Sequence, residues 1–142
     1  MTLAQLPSGA IGLPLYIDRT TLPLLRLRYV GKFTDADLGK FLRELEAILA
    51  LPGRKAAVFD LTEAGTGSPT QRQTQAAWIG KHESVLARDF AAAAIVTDSA
   101  IIRGAVTALF WLRPLPFPTH VTATAQLAEE WLAPYLASLQ TS

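Results

Sequence analysis

Two short runs of almost unbroken apolar residues, 56–61 and 91–96, constrain the fold of this chain more than any other feature. Neither run shows the apolar–polar alternation of a strand with one solvated face. Continuous apolar strands are typical of parallel sheets that are covered on both faces. Because parallel neighbours need crossover connections, usually helices, the two runs predict an α/β fold in which both strands are central.

The segments before these runs predict a hairpin and a helix. Apolar residues repeat with period two on both sides of the polar segment 19–23, which predicts an antiparallel hairpin. Thr34 with Asp37 then predicts a helix start, and apolar spacings of three and four continue until Pro52. The residues that carry the hairpin pattern are Leu13, Leu15 and Ile17 before the turn, and Leu25, Leu27 and Tyr29 after it.

The remaining elements complete an alternating order. We predict one helix over residues 69–88, another after Ser99, an edge strand over 120–124, and a final helix over 125–139 with Pro134 as an internal kink or break. The order is β-β-α-β-α-β-α-β-α, a mixed sheet of about five strands with four helices in a single domain over residues 1–142.

Composition excludes several classes of function. The 13 Lys and Arg are balanced by 12 Asp and Glu, so a nucleic-acid partner is not expected. The absence of cysteine excludes disulfides, thiolate catalysis and cysteine-based metal sites. No apolar stretch reaches the roughly 18 residues of a membrane span, and the amino-terminal residues lack a signal-peptide pattern. We therefore expect a cytoplasmic protein without a membrane span.

The junction after run 56–61 is the first candidate site. A glycine-containing loop leads to Ser68, a natural N-cap, followed by Pro69 at the first helical position and by Gln71, whose side chain can reach back to the cap. In open α/β sheets such junctions lie at the carboxyl edge, where ligands and partners bind.

Element order and this junction together resemble the STAS domain of sulfate transporters and anti-sigma-factor antagonists, closest to its divergent SpoIIAA-like (STAS/SEC14-type) branch. The segment Phe59-Asp60-Leu61-Thr62 is similar to the family's Asp-Leu strand end, and Ser68 falls near the family's phosphorylatable residue. The family's usual Asp-Ser-Ser-Gly is replaced here by Thr66-Gly67-Ser68-Pro69. The resemblance implies an α/β regulatory domain, and the SEC14-type branch implies a lipid-like cargo.

The leading hypothesis is a non-enzymatic regulatory or protein-interaction module that uses loop 63–68 and the following helix start. Ser68 is either a structural cap or a phosphoacceptor, and Asp60 either hydrogen-bonds the loop or binds a ligand group. The candidate partner-binding residues are Asp60, Glu63, Thr66, Ser68, Thr70 and Arg72.

Two alternatives come from other classes. A carrier for an apolar ligand would need a closed pocket of several hundred Å3 lined by the third and fourth helices. A hydrolase or transferase would need titratable groups around Asp60, where only Glu63 and Arg72 are near in sequence. His82 and His120 lack metal-ligand spacing, so we expect no metal and no cofactor.

Segment 110–118 interleaves three prolines with five large apolar residues. Either these residues cover the bottom of the core, or they form the contact of a homodimer or another partner. The candidate interface residues are Trp111, Leu115 and Phe117.

Overall fold

The sheet has five strands in the order β1-β2-β3-β4-β5, so each strand pairs with its neighbours in sequence. The computed structural model describes residues 14–141, and the predicted hairpin residue Leu13 lies outside them. The strands are β1 (Leu15–Asp18), β2 (Leu24–Gly31), β3 (Lys55–Ala64), β4 (Phe90–Val96) and β5 (Thr119–Thr122). The helices are α1 (Asp35–Leu49), α2 (Pro69–Lys81), α3 (Glu83–Asp89), α4 (Ala100–Leu112) and α5 (Ala125–Thr141).

The predicted mixed sheet with two central apolar strands is confirmed. Strand β1 pairs antiparallel with β2, and every later pair is parallel. The two apolar runs form β3 and β4, which both lie in the interior of the sheet. Their alternate residues face two separate helix layers, which explains why neither strand alternates with polar residues.

One face of the sheet packs against α1, α2, α3 and α4, and the other packs against α5. On the first face, Leu25 and Leu27 of β2 lie in one buried cluster with Leu38 and Phe41 of α1. The α5 side uses the alternate residues of β3 and β4, packed against the fully buried Leu132. The carboxyl ends of β2, β3 and β4 meet at one edge, where the loop after β3 leads into α2.

The prediction of one helix over 69–88 is wrong, because the segment forms two helices separated at His82. His82 leaves helical geometry, with φ −105° and ψ 13°, and its ring lies 3.2 Å from the Glu46 carboxylate of α1. Gly80 precedes the break and packs against the Arg113 guanidinium, which a Cβ would approach to 3.2 Å. These long-range contacts hold the break at His82. Because of the break, the described residues form five helices, one more than the four predicted.

The carboxyl-terminal elements differ from the sequence-based prediction in smaller ways. Strand β5 ends at Thr122 instead of residue 124, and Pro134 does not break α5. Pro134 is exposed, so the carbonyl group left without an amide partner one turn earlier can bind water. Among the described residues, α5 is the longest helix, and no helix there has the length and apolar character needed to cross a membrane.

Candidate functional site

The loop between β3 and α2 is shaped by two glycines. Gly67 has φ +68°, a left-handed conformation that favours glycine. Gly65 donates its amide to the carbonyl oxygen of Gly31 at 2.9 Å, and a Cβ at position 65 would lie 2.9 Å from the same oxygen. A side chain at Gly65 would therefore push the carboxyl ends of β2 and β3 apart.

Ser68 caps α2, as the sequence pattern predicts. Its hydroxyl accepts a hydrogen bond from the Gln71 amide at 3.0 Å, and the Gln71 side-chain oxygen accepts one from the Ser68 amide at 3.0 Å. The buried Gln71 side chain also donates to the Phe33 carbonyl at 2.8 Å and to the Asp35 carboxylate at 3.1 Å. Gln71 thus joins the start of α2 to the start of α1, a connection that the capping pattern alone does not predict.

A mostly buried arginine, Arg28, pairs with two of the predicted site residues. Its Nη2 lies 2.9 Å from Glu63 Oε1, and its Nε lies 3.9 Å from Asp60 Oδ2. Asp60 Oδ1 accepts hydrogen bonds from the amide and the hydroxyl of Thr62 at 3.0 and 2.6 Å, so the loop hydrogen bonding predicted for Asp60 is present. Sequence reasoning missed Arg28 because its position opposite Asp60 depends on the register of β2 against β3.

An apolar cavity of about 150 Å3 lies between the sheet and helices α1, α2 and α4. None of the described residues that line it is Asp, Glu or His. The cavity is smaller than the several hundred Å3 expected for a lipid carrier. That hypothesis required two lining helices, and of those two only α4 lines the cavity, because the described part of α5 packs on the opposite face of the sheet. Representative lining residues are Phe59, Leu61, Ile95, Ala105, Val106 and Leu109.

Four polar lining residues, Tyr29, Thr66, Arg72 and Gln75, lie at the carboxyl-edge end of the cavity. Arg72 donates from Nη1 to the carbonyl oxygen of Thr66 at 3.2 Å. The Tyr29 hydroxyl lies 3.4 Å from the side-chain oxygen of Gln75. Burial raises the pKa of Tyr29 above its ordinary value, so the hydroxyl stays protonated and can donate a hydrogen bond.

The six residues predicted for the loop and helix start separate into different places. One pair, Thr66 and Arg72, lines the cavity. A second pair, Asp60 and Glu63, lies with Arg28, away from the cavity. The two that remain are Ser68 at the cap and Thr70 on the exposed first turn of α2.

Comparison with known proteins identifies the family. A family model described as SpoIIAA-like matches residues 24–133. The chain belongs to the SpoIIAA-like family. Among solved structures, this SpoIIAA-like domain is similar to an uncharacterized protein of the DUF3478 family from Shewanella loihica PV-4, which has a SpoIIAA-like fold. The two share 23% identity with a TM-score of 0.62, and the match covers 83% of this chain and 91% of the other. No curated protein matches.

The histidines of this SpoIIAA-like domain lie in separate surroundings. The His82 ring packs against Trp78 with ring centroids 4.5 Å apart and the two planes tilted by 43°, and both rings contact the Glu46 carboxylate. His120 of β5 stacks on Trp131 of α5, with centroids 5.2 Å apart. Within residues 14–141, no three His, Cys, Asp or Glu side chains are grouped so that they could hold a metal ion.

Segment 110–118 of the SpoIIAA-like domain has both buried and exposed apolar side chains. Leu115 and Phe117 are half-buried against the core, and Phe117 stacks on Phe90 with ring centroids 5.7 Å apart. Trp111 is 84% exposed, and the neighbouring Leu112 is also exposed. Of the three predicted interface residues, Trp111 therefore presents the largest apolar surface to solvent.

Proposed function

We propose that this protein is a non-enzymatic binding domain that holds a small apolar ligand in the cavity between the sheet and helices α1, α2 and α4. The cavity of about 150 Å3 is the observation that carries the proposal. Protein interiors are close-packed, and voids larger than a water molecule are few. An engineered cavity of about the same volume, lined by Leu, Ile and Phe, stays dry and binds benzene.

The free energy of an unfilled cavity supports the same reading. At about 24 cal/mol per Å3, an empty cavity of this volume would cost about 4 kcal/mol of stability. That is a large fraction of the roughly 5–15 kcal/mol by which a domain is stable. A bound apolar ligand of about six to eight carbon atoms would offset much of that cost.

The charges around the site support binding rather than catalysis. The carboxylates nearest the loop, Asp60 and Glu63, are engaged by Arg28 and Thr62. In the part of the chain that the structure describes, the residues that line the cavity offer no carboxylate or imidazole for acid–base chemistry. The cavity wall instead offers apolar surface with a few polar groups at one end, as is typical of small-molecule binding sites.

The test is titration with heptanol, followed by NMR of the Leu, Ile and Val methyl groups. Binding should produce saturable shifts at Leu61, Ile95 and Val106, with a Kd on the order of 1 mM or below. Ala105→Leu should fill the cavity and abolish the shifts, whereas Ala137→Leu, an exposed site on α5, should leave them unchanged. Shifts without saturation, or binding that survives Ala105→Leu, would contradict the proposal.

A second function, the regulatory or protein-interaction module, is favoured by exposure at the same loop. Thr62, Glu63, Thr66 and Thr70 are exposed around the capped start of α2. A phosphate on Ser68 would lie at the positive end of the α2 dipole, where negative charge is stabilised. Native mass spectrometry of freshly purified protein reports phosphate, bound ligand and subunit number together, and protein without phosphate or a bound partner chain would count against this module. The expected cytoplasmic location remains a prediction.

A further inference from the structure

The cavity ends in a cation that has no acidic partner among the described residues. Arg72 is half-buried, and of the residues in 14–141 that line the cavity it is the only charged one. Among residues 14–141, none of the ion pairs involves Arg72, and its guanidinium hydrogen bond goes to the neutral carbonyl group of Thr66. A partly buried guanidinium without a counterion is well suited to bind an anion, and carboxylates match its planar donor geometry.

Two neutral groups at the same end can complete the coordination of an anion. The Tyr29 hydroxyl and the Gln75 side-chain oxygen are 3.4 Å apart, beyond the usual length of an O–H···O bond. The Gln75 amide nitrogen makes a contact of 3.5 Å to the Gln71 carbonyl oxygen, which is also long. Both donors can therefore turn to a ligand oxygen at little loss.

The charge of the cavity lining and the volume of the cavity together favour one class of ligand. One guanidinium matches a single negative charge, and the remainder of the lining is mainly apolar. The cavity of about 150 Å3 accommodates a chain or ring of about six to eight carbon atoms. We infer that the ligand is a small monocarboxylic acid, bound with its carboxylate at Arg72, Tyr29 and Gln75 and its hydrocarbon part between the sheet and α4. This inference rests on the proposed function, because it specifies the ligand of the same cavity.

The experiment compares heptanoate with heptanol at neutral pH and low ionic strength, using methyl NMR for site and calorimetry for affinity. These ligands have equal chain length and differ in the head group. Heptanoate should bind about tenfold more tightly than heptanol. Arg72→Gln should remove that advantage while leaving the Kd of heptanol within about twofold. The matched control is Arg103→Gln, an exposed arginine near the start of α4 that does not line the cavity, and it should keep the tenfold preference.

The outcomes separate the inference from the function on which it rests. If heptanol binds in the cavity as tightly as heptanoate, the carboxylate assignment is overturned and the apolar binding function stands. If neither compound gives saturable shifts, the proposed function fails and the inference fails with it. If Arg103→Gln loses the preference for heptanoate over heptanol as fully as Arg72→Gln does, the preference comes from net charge and the proposed contact with Arg72 is overturned.

A second measurement uses the wild-type protein, so that it does not depend on the folding of the Arg72→Gln variant. Intermolecular nuclear Overhauser effects should connect the methylene group beside the carboxylate of heptanoate to Tyr29 and Thr66. The terminal methyl group should contact the apolar lining, including Leu109. The reverse orientation, with the methyl group near Tyr29, would overturn the inference.

Discussion

Replacing Gln71 should destabilise the protein more than removing the helix cap itself. Gln71→Ala removes three side-chain hydrogen bonds, one from the Ser68 amide, one to the Phe33 carbonyl and one to the Asp35 carboxylate. Ser68→Ala removes one, from the Gln71 amide to the hydroxyl. The capping sequence predicts similar importance for the two residues, whereas the structure predicts a clear difference.

The magnitude follows from the number and burial of these bonds. At a net value of about 1 kcal/mol each, the three bonds of Gln71 correspond to a loss of about 3 kcal/mol in the free energy of unfolding. The loss of the cap in Ser68→Ala should be about 1 kcal/mol. Ser68→Asp should be nearly neutral, because aspartate also caps and its charge favours the helix dipole.

Urea titrations monitored by circular dichroism, at one protein concentration for all variants, measure these differences. Gln73→Ala is the matched control, since it makes the same substitution at an exposed position of α2 and should change stability by no more than about 0.5 kcal/mol. Equal losses for Gln71→Ala and Ser68→Ala would refute the role of Gln71 in joining α2 to α1. Unchanged stability in Ser68→Ala would show that Ser68 is not the cap.

Three further predictions concern other parts of the chain. The hydrogen bond from Arg88 holds the pKa of the Asp89 carboxyl group below its ordinary value. The ionised Asp89 carboxylate therefore stabilises the folded protein above about pH 4, and this stabilisation is lost as pH falls through the lowered pKa. The difference in unfolding free energy between wild type and Asp89→Asn should therefore shrink towards acid in urea titrations, and a growing difference would contradict it. Gly67→Ala should lower the free energy of unfolding by about 1 kcal/mol or more, because residue 67 has a positive φ. Gly104→Ala, in open space on α4, should raise it by about 0.5–1 kcal/mol. Equal effects of the two substitutions in thermal melts would exclude strain at Gly67. Self-association through segment 110–118 should weaken in Trp111→Ser, measured by size-exclusion chromatography with light scattering over a dilution series, and a wild-type monomer at high concentration would rule it out.

Local patterns predicted the elements and their order, because the features that encode them lie close together in sequence. The cap at Ser68 needs only residues within one turn of it, and the central position of β3 and β4 follows from their unbroken apolar character. The break at His82 depends instead on Glu46, which lies 36 residues away. Gly80 and Lys81 are local helix-stop signals, but they do not by themselves place the break at His82, which the contact with Glu46 holds.

The candidate site was only partly predictable for the same reason. Thr66 and Arg72 were selected for their place near the carboxyl edge, and they do line the cavity. The cavity itself is the space left between packed side chains of several elements, so it has no pattern in the sequence. The pairing of Arg28 with Glu63 likewise depends on how β2 and β3 align.

The position of α5 has a consequence for synthesis of the chain. Strands β1 to β5 pair in the order in which they leave the ribosome, so the sheet can grow one strand at a time without waiting for a distant partner. The helix that covers the second face of β3 and β4 is the last described element to emerge. Until it docks, Ala56, Val58 and Ala94 present an apolar surface to water, and a nascent chain stalled before residue 125 would be prone to aggregate through that face.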